Sequence, residues 1–366
     1  MAAPTYFLTG ATGLVGAAIA LELLADPDTE LWCLVRPRGG RDGQLRLEHE
    51  LNRAAVAYGR SELAPDVRAR CHAVPGNLAY PVHPPAVSHV WRVGASLRYE
   101  EVFTTAVRRA NVTGTQHVLA AAERVGAQFN HVSTASIAPC RDGSQRELPP
   151  DDTSVVHNLY ERTKLDAELV TLRASVPWRV LRPVMVVGHS RTHAVTTFSG
   201  LYAFALRLLR FHRRYGSEAA GRVLALRGAA DAEVHFVPVD QVVRNAVRIG
   251  LAGPTATIYH LANTQASAVA DLYGAAFSWL GLPAPRCVAA GEPLDGIERE
   301  LDTVVGGFGD YFSRLETYDR TNALVVVGAG AMSSPMTADT ITALLTWYSD
   351  HTRTRSDIAR QQVDVR

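Results

Sequence analysis

The most restrictive feature of this chain lies near its beginning. "FLTGATGLVG" sets Gly10, Gly13 and Gly16 between a short apolar run and the long apolar stretch "GLVGAAIALELL". Glycine takes positive φ freely and lets two backbones approach closely, so this spacing suits a tight strand-to-helix turn. The helix that follows points unpaired N–H groups and its positive dipole end at the turn, a favourable place for a pyrophosphate. Glycine spacing alone is a weak signal. An apolar strand before it and an apolar helix after it are the context in which such a turn binds a dinucleotide.

The first half of the chain continues that alternation of short apolar runs and longer helical patterns, the βαβ signature of a parallel sheet. Strands are predicted at 5–9, 30–35, 69–74, 88–93, 127–133, 178–187 and 256–262. A helix is predicted over 13–25, apolar nearly all round, and another over 101–125. The connection from Arg36 to Cys71 is too long for a bare loop and carries its own helical pattern, "QLRLEHELNRAAVAYG". "SVVHNLYERTKLDAELVTLRAS" predicts a long helix starting after the "DDTS" cap signals. The expected fold is α/β: a Rossmann-type doubly wound parallel sheet over 1–187, rejoined by 232–264. A smaller, discontinuous C-terminal substrate-binding cap is expected over 188–231 and 265–350, with a polar tail at 351–366.

Composition excludes several classes. A formal net charge of +1 offers no global field for nucleic acid or an anionic membrane. Cys33, Cys71, Cys140 and Cys287 form no C-x-x-C pair, which argues against a disulfide framework or zinc site and suits a reducing cytoplasm. No apolar run is long enough for a membrane span, and the N-terminus lacks a signal-peptide pattern. No metal site is expected. His189 and His193 are spaced i, i+4 but follow a strand end without a matched carboxylate.

In a dinucleotide fold, the end of the second strand lies beside the adenosine ribose. An acidic residue there bonds the 2′-hydroxyl of NAD, whereas arginine accepts the 2′-phosphate of NADP. Here the strand in "TELWCLVRPR" ends with Arg36, Arg38 is close by and no acid occupies that strand end, so NADPH is the expected cofactor.

Among 37 lysine and arginine residues, Lys164 is the only lysine, and it follows Tyr160 by four positions on a predicted helix. The two therefore share one face. A tyrosine must be tuned to exchange a proton near neutrality, and a neighbouring ammonium is expected to lower its pKa. Lysine can also relay a proton, which arginine cannot, and its compact head can bond two ribose hydroxyls. The strand "QFNHVSTAS" ends in hydroxyls at the sheet edge where ligands bind. Thr134 is the first choice to bond a substrate carbonyl, with Ser133 and Ser136 as alternatives. Asn111, predicted inside a helix where asparagine is disfavoured, is a candidate to hold a water beside Lys164. Arg207, Arg210 and Arg214 share a helical face in "LRLLRFHRRYG", with Arg213 and His212 nearby. That face suits either bulk solvent or a phosphopantetheine phosphate and an acidic carrier helix.

Together "TGATGLVG", "NVTGT", "VSTAS" and "YERTK" resemble the extended short-chain dehydrogenase/reductase superfamily. Within it, "LWCLVRPR", "VPGNL", "RPVMVVG", "VHFVPVD", "YHLAN" and "YFSRLETYDRTNA" resemble the thioester reductases. These are reductive release domains of peptide and polyketide synthetases, the reductase part of carboxylic acid reductases, and fatty acyl-CoA reductases. The resemblance covers 5–325. It implies Thr134, Tyr160 and Lys164 as the catalytic set with Asn111 in support. It implies Gly10, Thr12, Gly13, Leu14, Val15, Gly16, Arg36, Arg38, Asn77, Leu78 and Lys164 at an NADP cofactor. The chain departs from the group at Asn77, where aspartate is usual, at Val93, and at Val184, where glycine follows Arg-Pro.

The implied function is NADPH-dependent reduction of an acyl thioester, on a carrier protein or CoA, to an aldehyde or on to the alcohol. Two other functions use the same residues. One is a reductase, dehydrogenase or epimerase acting on a free carbonyl or sugar nucleotide. The other is a non-catalytic NADP sensor, which has no need of the proton relay that Tyr160 and Lys164 offer.

Overall fold

The computed structural model describes residues 4–37, 42–137, 144–150, 156, 158–230, 232–306, 308 and 317–352. The central sheet has seven strands: β1 (Thr5–Thr9), β2 (Glu30–Val35), β3 (Cys71–Pro75), β4 (His89–Arg92), β5 (Gln128–Val132), β6 (Trp178–Pro183) and β7 (Thr257–Leu261). Their order is β7-β6-β5-β4-β1-β2-β3, and every neighbouring pair is parallel. The order reverses between β1 and β4. In such sheets that point leaves a crevice beyond the strand ends where ligands bind.

Alternation along β4 shows how the two faces are covered. Val90 joins Phe7, Phe129, Val118 and Leu119 in a core beneath helix α5 (Gly114–Val125), and each fully buried Phe there contributes roughly 1.5–3 kcal/mol. The next residue, Trp91, points the other way, under the helix Val239–Ala252, where a Cβ on Gly250 would lie 2.4 Å from its ring. Helix α1 (Leu14–Leu23) packs against that same helix, and its all-round apolarity follows from burial between helix and sheet.

The inserted segment after β2 holds α2 (Gly43–Ala57) and α3 (Ala64–Arg70). Asp42 caps α2 by accepting from the Gln44 backbone N–H at 2.8 Å. Gln44 then shields the edge strand β3, donating to the Cys71 carbonyl and accepting from Ala73 N–H, both at 2.8 Å.

Three predicted elements differ from the structure. The helix expected after "DDTS" begins at Leu159, because Asn158 caps it by accepting from Glu161 N–H at 2.9 Å. The strand expected over 178–187 breaks after Pro183, and Met185–Val187 is separate; proline cannot donate to a ladder. The helix expected over 101–125 is a 3₁₀ turn Glu101–Phe103, α4 (Thr104–Arg108), a π-turn Arg109–Thr113 and then α5, ending on Gly126 at φ +67.

The chain divides into two compact units. The first comprises Met1–Val186, Val237–Ala262 and Thr317–Ser333; the second comprises Val187–Phe236, Asn263–Glu316 and Ser334–Arg366. The return of Thr317–Ser333 to the sheet unit differs from the sequence expectation, which keeps all of 265–350 in the second. Glu147 anchors this return by accepting from His260 N–H at 2.7 Å, from Ala323 N–H at 3.3 Å and from Asn322 N–H. In the second unit, helix Leu201–Ala219 packs on Gly296–Gly306 and Ala338–Thr352 on Val269–Trp279. Among the described residues, no helix is long and apolar enough to cross a membrane.

Candidate active site

The glycine turn sits at the β1/β4 reversal. Gly10 has φ +80, and a Cβ there would lie 2.5 Å from Gly94 N; one on Gly16 would lie 2.1 Å from the Gly10 carbonyl oxygen. Neither position admits another residue without moving backbone. Thr9 draws the two strand ends together, its Oγ1 accepting from Val93 N–H at 3.1 Å and Gly94 N–H at 3.3 Å. Helix α1 starts after Gly13, with no side-chain cap and no acid in its first turn. Its leading N–H groups suit an anion, flanked by the half-buried Thr12, Leu14 and Val15. A nicotinamide dinucleotide fits this cradle, since the glycines let the turn close against β4 and the helix start while the leading N–H groups of α1 carry no side-chain cap and stay open to its pyrophosphate.

Leu78 backs the crevice. A Cβ on Gly114 would meet its Cβ at 2.8 Å, and one on Gly94 its Cδ1 at 3.7 Å. Asn77 is turned into its own loop, accepting from Ala79 N–H at 2.8 Å. Arg36 directly follows β2 and is exposed. Arg38 lies outside the described residues.

At the end of β5 the structure brings together the residues expected to react. Thr134 is buried, and its side chain acts on the Tyr160 phenol, favouring the ionised form. Lys164 donates from Nζ to the Val132 carbonyl at 2.7 Å, two residues before Thr134. Ser136 lies in the short turn Ala135–Ile137. Ser133 is buried, and its Oγ has no hydrogen-bond partner among the described residues. Such an orphaned hydroxyl is unfavourable until something bonds it, as a bound cofactor or substrate would. Asn111 is buried within the π-turn. Its Oδ1 accepts from Ser96 N–H at 2.7 Å, and its Nδ2 donates to the Ser96 carbonyl at 3.0 Å and to Thr163 Oγ1 at 2.9 Å. It therefore ties the loop after β4 to α6 (Leu159–Thr171), the helix that carries Tyr160 and Lys164.

Burial controls the titration of this pair. It pushes Tyr160 up to about 12 against the opposing effect of the Thr134 hydroxyl. It pushes Lys164 down to about 7, with the Arg92 charge acting in the same direction and Glu168 against it. The sequence expectation that Lys164 lowers Tyr160 is not met. Desolvation weakens the ammonium itself, and its hydrogen bond goes to the Val132 carbonyl.

Other candidates lie elsewhere. His189 is buried, and its Nδ1 accepts from Arg191 N–H at 3.1 Å; among the described residues no group of three or more metal-ligating side chains forms. On helix Leu201–Ala219, Arg207 stacks on Phe308 at 4.9 Å and Arg214 on Tyr215 at 5.2 Å, while Arg210 and Arg213 are exposed. Sequence reasoning missed Arg92, Thr163 and the fully buried Glu168–Arg182 ion pair. A charged residue inside the apolar run "SHVWRVG" was the available signal for Arg92.

The sequence profile of the male sterility protein family matches residues 8–246. The chain belongs to this family. It is an NAD(P)-dependent oxidoreductase of the extended short-chain dehydrogenase/reductase type. Similar to this family member is isonitrile lipopeptide synthase of Streptomyces coeruleorubidus, 28% identical over 338 residues, covering 86% of this chain and 21% of that protein. A linear gramicidin synthase protein of Brevibacillus parabrevis is 26% identical over 290 residues, covering 73% of this chain and 5% of that protein. The chain thus spans only a small part of either relative. Among solved structures, the terminal R domain from the myxalamid PKS-NRPS biosynthetic pathway has a TM-score of 0.76 at 24% identity, with 97% of this chain and 93% of that one covered. That likeness establishes the fold.

Proposed function

We propose that this family member is an NADPH-dependent reductase of an acyl thioester, presented on a carrier protein or CoA, that releases an aldehyde and a free thiol. The observation that carries this is Lys164 anchored to the Val132 carbonyl at the end of β5, which brings its helix partner Tyr160 to the hydroxyl-bearing Thr134 two residues on. The relatives support the substrate class, since two are synthases of lipopeptide and peptide products and one is a terminal R domain. Arg36 at the end of β2, with no acid beside it, supports NADPH over NADH.

When bound, the dihydronicotinamide supplies hydride to the thioester carbonyl carbon. Thr134 and Tyr160 donate to the carbonyl oxygen as negative charge develops there. With a pKa of about 12, Tyr160 keeps its proton at neutral pH and can give it to that oxygen. Lys164, at about 7, can hand a proton on to replace it. The resulting thiohemiacetal expels the thiol and leaves the aldehyde, and a second round gives the alcohol. Asn111 keeps the loop after β4 and helix α6 in register during these steps. We read the second unit as the substrate-binding part.

The test is incubation with NADPH, or NADH, and a panel of acyl-CoA and acyl-pantetheine thioesters, following cofactor absorbance and free thiol together. Matched loss and release, faster with NADPH, is expected. Tyr160→Phe should reduce the rate by about 10²–10⁴-fold. Cofactor oxidation with ketones or aldehydes but no thiol release from any thioester would replace this proposal with a free-carbonyl substrate.

A further inference from the structure

Arg92 ends β4, two residues before Gly94, and is 2% exposed. A guanidinium taken out of water without a counter-charge is costly, so its place in the apolar strand needs a reason. Its Nε donates to Thr115 Oγ1 at 3.1 Å. One terminal nitrogen donates to the Ala110 carbonyl at 2.9 Å and reaches the Asn111 carbonyl at 3.4 Å. All three acceptors are neutral, and all lie in or just beyond the π-turn Arg109–Thr113. A π-turn interrupts the regular helical ladder and leaves carbonyls for other groups to satisfy. Thr115 completes the brace by donating to the Asn111 carbonyl at 2.6 Å.

We propose that Arg92 is a positioning residue for the hydride-transfer site: it holds the π-turn so that Asn111 faces Ser96 and Thr163, and it sets the charge behind Lys164. This rests on the oxidoreductase activity and not on the thioester as substrate. Lys164 Nζ sits on the Val132 carbonyl of β5, next to His131, which pairs with Arg92 of β4; Tyr160 and Glu168 stand one turn to either side of it on its own helix. Burial pushes His131 well below its ordinary value, so it is neutral there, and Arg92 is the cation that acts on the lysine.

Two variants separate charge from brace. Arg92→Met removes both; Thr115→Val weakens the brace and keeps the charge. Each is compared with wild type by thermal melting, by kcat and KM for NADPH, and by pH profiles of turnover and of NADPH binding read by cofactor fluorescence. For Arg92→Met, kcat should fall about ten-fold or more with a smaller change in KM, and the near-neutral ionisation should move alkaline by about one pH unit. For Thr115→Val, kcat should fall about three- to ten-fold with the ionisation unmoved. A purely structural role would lower melting temperature and leave the profile of the folded enzyme in place. A folded Arg92→Met with wild-type kcat and profile overturns the proposal, as does a Thr115→Val that moves the profile equally. If Arg92→Met does not fold, Thr115→Val decides, and wild-type kcat there overturns it. If wild type reduces no thioester, the substrate proposal fails separately. The pH dependence of NADPH binding then decides for Arg92, and an ionisation unmoved in Arg92→Met overturns its role.

Discussion

Two arginines in the central sheet, Arg92 near the end of β4 and Arg182 near the end of β6, are both removed from water but differently matched. Arg182 is fully buried against Glu168, with Nε donating to Oε2 at 3.1 Å and a second contact to Oε1. Its remaining donors reach the Arg146 carbonyl at 3.1 Å and His260 Nε2 at 3.4 Å. Burial holds that imidazole near 3, so it is neutral and can accept. Among the described residues Arg92 bonds only neutral oxygens, and desolvation pulls it down to about 9. The matched charge locks α6 to β6 one turn below Lys164. The unmatched one braces the π-turn that carries Asn111. A sheet can thus hold a buried cation for cohesion or for its field, and the presence of a carboxylate separates the two.

The largest expected effect tests the matched pair. Glu168→Gln leaves Arg182 charged, buried and without its counter-ion, and should cost about 3–5 kcal/mol of stability in urea unfolding at neutral pH. A loss below about 1 kcal/mol would show that Arg182 finds other compensation and would weaken the contrast.

Next comes the titration of Lys164, whose folded value of about 7 lies below its ordinary 10.5. A depressed value means that its contribution to stability is present above the unfolded pKa and is lost as pH falls toward the folded one. Wild type should therefore gain stability relative to Lys164→Met as pH rises from about 7 to about 10, by on the order of a few kcal/mol. Taking the difference between the two proteins cancels the tyrosines and cysteines that titrate in the same range. A flat difference would mean that Lys164 stays charged throughout. The smallest stability effect is expected for Arg92→Met, within about 1–2 kcal/mol of wild type, because a buried charge matched only by neutral groups adds little net stability. A loss as large as that of Glu168→Gln would erase the distinction between the two arginines.

The legible part of the site was the part written in contiguous residues. The glycine turn, the Y-x-x-x-K spacing and the hydroxyl-ended strand are local patterns, and local geometry alone places Tyr160 and Lys164 on one face. The choice among Ser133, Thr134 and Ser136 was not legible. It depends on how a strand end meets a helix that starts 25 residues after Thr134. The start of that helix was misplaced because Asn158, deep in the predicted run, is the stronger cap. The π-turn was invisible because the side chain that bonds its carbonyls is Arg92, which lies on β4, 17 positions before the turn's first residue.

From the sequence alone came the parallel α/β architecture, the dinucleotide turn and the tyrosine–lysine pair, because periodicity, glycine spacing and i, i+4 placement act over a few residues and survive any arrangement of the rest. Only the tertiary structure decided the return of Thr317–Ser333 to the sheet unit and the tie from Asn111 to Ser96 and Thr163. It also decided the fate of the ionisable groups: Lys164 lowered, Tyr160 raised, Arg182 matched and Arg92 set against neutral oxygens. Those outcomes depend on which groups lose water together, and desolvation is set by neighbours that the chain brings in from far along its length.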